Sequence, residues 1–283
     1  MILSRHYVAT NYIESVRAHA PQARLIFDTV DVHHLREQRA AELAASDDLS
    51  QQAARTRAQE IKVMRACDVT LVVSAAEKEI LARDLPNVRI EILSNVHEIH
   101  GRRRDFDARR DLVFVGGFQH PPNVDAVLWF VREVFPIVRK TLHDVNLHVI
   151  GSKAPPNILE LAHDGVVVHG YVSDIAPYMD GCRLALAPLR YGAGVKGKVN
   201  MAMSYGLPVV ATTPAVEGMH VRVGDDVLVA DSPSDFAAAI VQGYSDATLW
   251  KTLSDNGLAN VARHFSFDAA RESIKRVLDG TRR

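Results

Sequence analysis

LALAPLRYGAGVKGKVNMAMSYGLPVVAT, residues 184–212, reads as an apolar strand, a loop with three glycines and two lysines, a helical run and a second apolar strand. A glycine-rich loop between a strand end and a helix start is a place for phosphate, because backbone N–H groups and the helix dipole point at one spot. Gly192 and Gly197–Lys198 fit the triphosphate-loop frame G-x-x-x-x-G-K, yet Val199 stands where that frame needs Ser or Thr for magnesium. The loop is either a glycine-rich turn with solvated lysines or a cradle for a phosphate bound without magnesium. In the second case Lys196 and Lys198 add positive charge beside the phosphate.

Working outward from this loop, strands are expected at 111–115, 146–150, 166–169, 183–188, 207–212 and 227–230. Helical patterns fall between them, at 123–135, near 157–163 and near 173–180. The first repeats Val124, Val127, Leu128, Val131, Val134, Phe135 and Val138 at helical spacing, with Asn123 as its N-cap and Pro136 to kink or end it. Upstream, 24–31, 68–74 and 88–93 read as buried strands, and an Ala/Glu/Arg/Gln-rich helical stretch from Leu35 to Arg65 breaks near Ser46–Ser50. Strands alternating with helices give an α/β chain with two Rossmann-like domains and parallel sheets, the N-terminal one incomplete. The expected division is 1–105, 106–266 and a terminal helix at 267–283, with His97–Arg110 as hinge.

The chain has 283 residues, 47% apolar and 24% charged, with a net charge of −1, enough for two cores and without a global field for nucleic acid or an anionic membrane. The run GRRR (101–104) reads as a solvated linker. Cys67 and Cys182 sit in apolar contexts far apart, which suggests reduced core thiols. No apolar run reaches 18 residues and the N-terminus lacks a signal-peptide core, so a cytoplasmic protein is expected, with peripheral attachment at the inner membrane face left open. His33–His34, His97 and His100 lack Asp, Glu or Cys company at ligand spacing, and no metal is expected.

The strings FVGGFQHPPNVDAVLWF (114–130), GYVSDIAPYM (170–179), APLRYGAGVKGKVNMAMSYGLPVVAT (187–212) and VEGM (216–219) together resemble the C-terminal half of a group 1, retaining glycosyltransferase of the two-Rossmann GT-B type. DTVDVHHLREQR (28–39), CDVTLVVSAAEKEIL (67–81) and ILSNV (92–96) resemble the second half of that family's acceptor-side domain. The resemblance implies metal-independent transfer from a nucleotide diphosphate sugar, without a cofactor, to a glycan or lipid-linked acceptor in envelope or exopolysaccharide assembly. It assigns the donor to Gly116, Gly117, His120, Gly194, Val195, Lys196 and Lys198, the base pocket to Tyr171 and Val172, and the sugar to Glu217. His33 and Asp31 would face the donor sugar as catalytic residues. Read alone, Gly116–Gly117 fit a tight turn equally well, and Tyr171, Val172 and Glu217 fit core, loop and solvated surface.

Two departures stand out. The family's acid-x7-acid pattern falls on Ala193 and Met201, and Met201 cannot replace the Glu that takes the donor ribose hydroxyls. Asn200 is turned about 100° away on the helix. The N-terminal half, with three expected strands, would also expose apolar faces and a sheet edge, so that the chain is a fragment or something covers that surface by self-association or a partner chain. A nucleotide-sugar-binding subunit impaired in transfer is the second reading, and a nucleotide triphosphatase the third.

Overall fold

The computed structural model describes residues 1–279, so the last four residues of the terminal helix expected at 267–283 lie outside it. The N-terminal sheet runs β1 (Ile2–Ser4), β2 (Ile26–Asp28), β3 (Val69–Val72) and β4 (Ile90–Ile92) in that order, every pair parallel. Its helices are α1 (His6–His19), α2 (His33–Ala44), α3 (Asp47–Ala66) and α4 (Ala75–Asp84). The helical stretch 35–65 is indeed two helices: Ala45 turns left-handed (φ 48°) and the Ser46 side chain caps α3 by accepting from Leu49 N.

The C-terminal half contains β5 (Leu112–Val115), α5 (Pro121–Trp129), α6 (Phe135–Arg139), β6 (Leu147–Ile150), α7 (Pro156–Leu159), β7 (Val166–Gly170) and α8 (Ala176–Gly181). It continues with β8 (Leu184–Ala187), α9 (Gly197–Ser204), β9 (Val209–Ala211), α10 (Thr213–Val216), β10 (Leu228–Val229), α11 (Pro233–Ser245) and α12 (Ala247–His264). The sheet order is β10-β9-β8-β5-β6-β7, all parallel. Helices cover both faces, which is why β5, β8 and β9 are apolar without alternation. Chain order reverses between β5 and β8, and the crevice beyond their carboxyl ends is where such sheets bind ligands.

Several expectations are corrected. β1 and α1 bring the first sheet to four strands, and its faces are not bare. Ala9, Val16, Val63, Met64 and Leu81 close one side over Phe27 and Val72. On the other, Val277 of α13 (Phe267–Asp279) packs on Ile26, Val69 and Leu71. β1 keeps one unpaired edge among the described residues. Asn123 is not an N-cap: the helix starts at Pro121, with His120 at the N-cap position making no side-chain cap bond and two prolines at positions whose N–H needs no partner. Nor does Pro136 end the helix; a π turn over Phe130–Val134 precedes it and absorbs the ring within a continuing helix. In GRRR, Arg102 is not solvated but bonds Ser254 Oγ (3.0 Å) and Asp255 Oδ1 (2.5 Å). Cys67 and Cys182 are free thiols, and burial above all pushes them up to about 11 and about 12.

The linker is anchored by Arg109, which is 1% exposed. Its guanidinium donates to the carbonyls of Arg104 (2.9 Å), Met179 (2.6 Å), Cys182 (3.2 Å) and Tyr205 (3.4 Å) and lies 5.4 Å from the Trp250 ring centre. Burial pushes its pKa down to about 10, still charged at neutral pH. Arg109→Met keeps much of the side-chain volume but strips these carbonyls of their donor. It should cost about 2–4 kcal/mol, read as a lower urea midpoint at an unchanged slope.

Candidate active site

The carboxyl ends of both sheets face one cleft of about 870 Å³. The C-terminal half lines it with Gly117, His120, Asn123, Tyr191 and the loop Gly192–Lys198; the N-terminal half contributes Arg5, Tyr7, Asp31, His33, Arg36 and Asn95. Of the residues expected from sequence, Gly117, His120, Val195, Lys196, Lys198, Asp31 and His33 line this cleft. Gly116 and Gly194 sit against it. A Cβ on Gly116 would lie 2.8 Å from Lys198 Nζ, and one on Gly194 (φ 70°) 3.1 Å from Asp31 Cβ. Both positions need glycine for close approach. Gly117 has no such neighbour, the nearest being Ser152 Oγ at 3.8 Å.

The two lysines differ in their ties. Lys196 Nζ donates to the carbonyls of Ala193 (3.0 Å) and Gly194 (2.5 Å), closing the loop on itself. Lys198 Nζ donates to Asn123 Oδ1 (2.5 Å) and lies 4.1 Å from the Phe114 ring centre. Asn123 Nδ2 in turn holds the Gly117 carbonyl (2.7 Å), so one amide links both glycine-bearing loops. Burial, above all, pushes Lys196 down to about 8 and Lys198 to about 7. His120 is pushed down to about 4 by burial first, then by Arg36, and is neutral at ordinary pH.

The opposite wall is strained and heavily braced. Val30 holds φ 66°, a left-handed conformation costly for a β-branched residue. Glu77, reached through the cap Ser74, accepts from Val32 N and Val73 N (both 3.1 Å). Glu60 of α3 accepts from the N–H groups of His33 (2.9 Å) and His34 (3.1 Å) and from His34 Nδ1 (2.6 Å). Burial disfavours its charge, but these hydrogen bonds outweigh it and hold Glu60 down at about 2. His33 and His34 therefore do have acidic company, contrary to the expectation from sequence. His6, His33 and Glu60 offer ligand atoms within 4.8 Å of one another, but both Glu60 oxygens already serve as the cap of α2. His33 Nδ1 faces the Asp31 carbonyl (3.1 Å). Burial works against its charge, while Glu60 and Asp31 outweigh it and raise its pKa.

The remaining expected residues lie elsewhere. Glu217 lines an adjoining cavity of about 580 Å³. Tyr171 is 76% exposed, while Val172 and Met201 pack half-buried on the C-terminal core, outside the cleft lining. Asn200 is fully buried and neither of its amide atoms has a hydrogen-bond partner. Sequence reasoning missed Asn123 as a brace, Glu60, Arg36 and Arg39. The proline pair before Asn123 was the available sign that it lies inside the helix.

Residues 109–246 match the family described as glycosyl transferases group 1. This segment is a group 1 glycosyltransferase domain. Over 192 residues the chain is 25% identical to an uncharacterized 44.6 kDa protein in the cps region of Klebsiella pneumoniae, covering 64% of this chain and 50% of that protein. Similar solved structures are TarM (16% identity, TM-score 0.78, 99% of this chain and 54% of that one) and sucrose-phosphate synthase of Thermosynechococcus elongatus (16%, 0.78, 99% and 72%). Anabaena HepE in complex with UDP and glucose is 14% identical at a TM-score of 0.72, covering 99% and 78%. These likenesses establish the GT-B fold around the glycosyltransferase domain. The chain spans about half the length of the Klebsiella relative and of TarM.

The lysines give the glycosyltransferase domain a pH signature. With its pKa near 7, part of Lys198 is neutral in the free protein, and a bound diphosphate favours the charged form. Binding of inorganic pyrophosphate should therefore take up more protons in wild type than in Lys198→Met, and the wild type's advantage in affinity should fall up to about tenfold per pH unit as pH rises above that pKa. Calorimetry in two buffers of different ionisation enthalpy checks the proton uptake.

Proposed function

We propose that the protein transfers a sugar, with retention and without a metal, from a nucleotide diphosphate sugar to a glycan or lipid-linked acceptor. The observation that carries this is the pair of buried lysines in a glycine loop at the start of α9, facing the cleft between the two sheets. Loop N–H groups, Lys196 and Lys198 would grip the diphosphate and stabilise its charge as the sugar leaves. His33 and Asp31, on the opposite wall, would face the sugar, and the acceptor would enter along Arg5 and Tyr7. The Klebsiella relative's place in a cps region supports a role in cell-surface polysaccharide assembly. No helix among the described residues is long and apolar enough to cross a membrane.

A nucleotide-sugar binder without transfer activity is the second reading, favoured by Met201 packing among apolar residues where the family pattern has an acid. A panel of nucleotide diphosphate sugars, assayed with EDTA for binding, donor hydrolysis and transfer, separates the two. Lys196→Ala and Lys198→Ala should each weaken binding of the selected nucleoside diphosphate by about 1.5–3 kcal/mol, the scale of hydrogen bonds to charged groups. Unchanged affinity in both variants, or strict metal dependence, would place the donor elsewhere.

A further inference from the structure

Arg39 of α2 reaches out of the N-terminal half and joins two separate pieces of the C-terminal half. Its Nη1 donates to the Gly192 carbonyl and to Glu217 Oε2 (both 2.5 Å), and its Nη2 donates to Glu217 Oε1 (2.8 Å). The two side chains are 28% and 32% exposed, so the pair is largely shielded yet keeps a face to solvent. That face borders the cavity lined by Leu43, Tyr191, Pro214 and Val216, and Tyr191 lines the large cleft as well.

The loop 192–199 contains no carboxylate, and Asp31, the one acid lining the large cleft, is engaged by Arg36. Glu42 shares the adjoining cavity with Glu217 but has no bond to the phosphate loop among the described residues, whereas Glu217 is bonded to the guanidinium that also holds Gly192. Glu217 is brought to the loop's edge because one guanidinium nitrogen serves both its carboxylate and the Gly192 carbonyl. A fork-shaped guanidinium fixes both carboxylate oxygens in one plane, and each oxygen keeps a lone pair after accepting one N–H. Two such lone pairs side by side match neighbouring hydroxyls of a sugar ring. The turn that carries Glu217 is itself pressed on the N-terminal half: a Cβ on Gly218 (φ 72°) would lie 2.5 Å from Ser74 Cβ.

We propose that Arg39 is a positioning residue for the donor sugar. It holds the Glu217 carboxylate beside the phosphate loop, where that carboxylate accepts sugar hydroxyls, and it draws the N-terminal half onto the loop. This rests on the reading of the cleft as a nucleotide-sugar site. In that reading Lys196 and Lys198 grip the diphosphate and Arg39 touches the loop only at the Gly192 carbonyl, so losing Arg39 should cost the sugar's share of the affinity more than the diphosphate's.

The test titrates wild type, Arg39→Ala, Arg39→Lys, Glu217→Gln and the double variant R39A/E217Q with the nucleotide sugar selected by the panel and with its nucleoside diphosphate. Arg39→Ala should weaken the nucleotide sugar about tenfold or more and the nucleoside diphosphate less than about threefold, the double variant adding little because the pair acts as a unit. Arg39→Lys should recover only part, since an ammonium cannot hold both oxygens. Equal losses on the two ligands, or none, would overturn the sugar role. Small-angle scattering without ligand reads the second role: a larger radius of gyration in Arg39→Ala supports it, and an unchanged one removes it. Should no nucleotide sugar bind wild type, the donor reading itself fails, and the scattering still decides whether Arg39 holds the halves together.

Discussion

The contact on which this structure turns is the seating of the N-terminal half directly on the phosphate loop. Val73, at the end of β3, packs with the C-terminal core and would touch a Cβ on Gly194 at 3.3 Å; Asp31 would touch it at 3.1 Å. Asn95 Nδ2 holds the Val195 carbonyl at 3.0 Å. A loop of small residues has little rigidity of its own. Here its shape is imposed from across the domain boundary, by side chains that cover it and carbonyls that are held from outside. The site is therefore a property of two halves in contact and not of the glycine–lysine segment alone.

Within the C-terminal half, the position of the cleft follows from strand order. β5 and β8 are neighbours although far apart in the chain, so Gly116–Gly117 and Gly192–Lys198 emerge side by side. Putting two lysines there has an electrostatic cost, visible in their depressed pKa values, and the protein tolerates it through carbonyls, an amide and an aromatic face. The opposite wall uses the reverse device, with buried carboxylates Glu60 and Glu77 holding backbone N–H groups.

What could be read from the chain beforehand divides along physical lines. The apolar strands, the glycine–lysine loop and the break at Ser46 are local patterns, and local patterns are written in consecutive residues. β1 escaped because three residues carry no periodicity, and α1 because its apolar face is sparse. Arg39, Glu60 and Asn123 escaped for a different reason. Each acts on a partner distant in sequence, and nothing in REQRA, AQEIK or PPNVD distinguishes an interface arginine, a remote helix cap or a lysine acceptor from ordinary helical surface. Met201 is a case where the pattern was legible and the consequence was not: its neighbours are apolar, and what the altered position does for a ligand depends on geometry outside the motif.

The return of α13 to the N-terminal sheet means that the chain passes between the halves twice, once near His97 and once near Phe265. These passages are joined to each other, His97 N donating to the Phe265 carbonyl at 2.7 Å. Two bodies whose covalent connections meet at one place, and which touch elsewhere only through side chains, turn about that place as about a pin. Rotation leaves the pin almost unmoved and displaces everything in proportion to its distance from it. An angular change too small to disturb that hydrogen bond therefore suffices, at a long enough lever arm, to part an ion pair on the rim of the cleft.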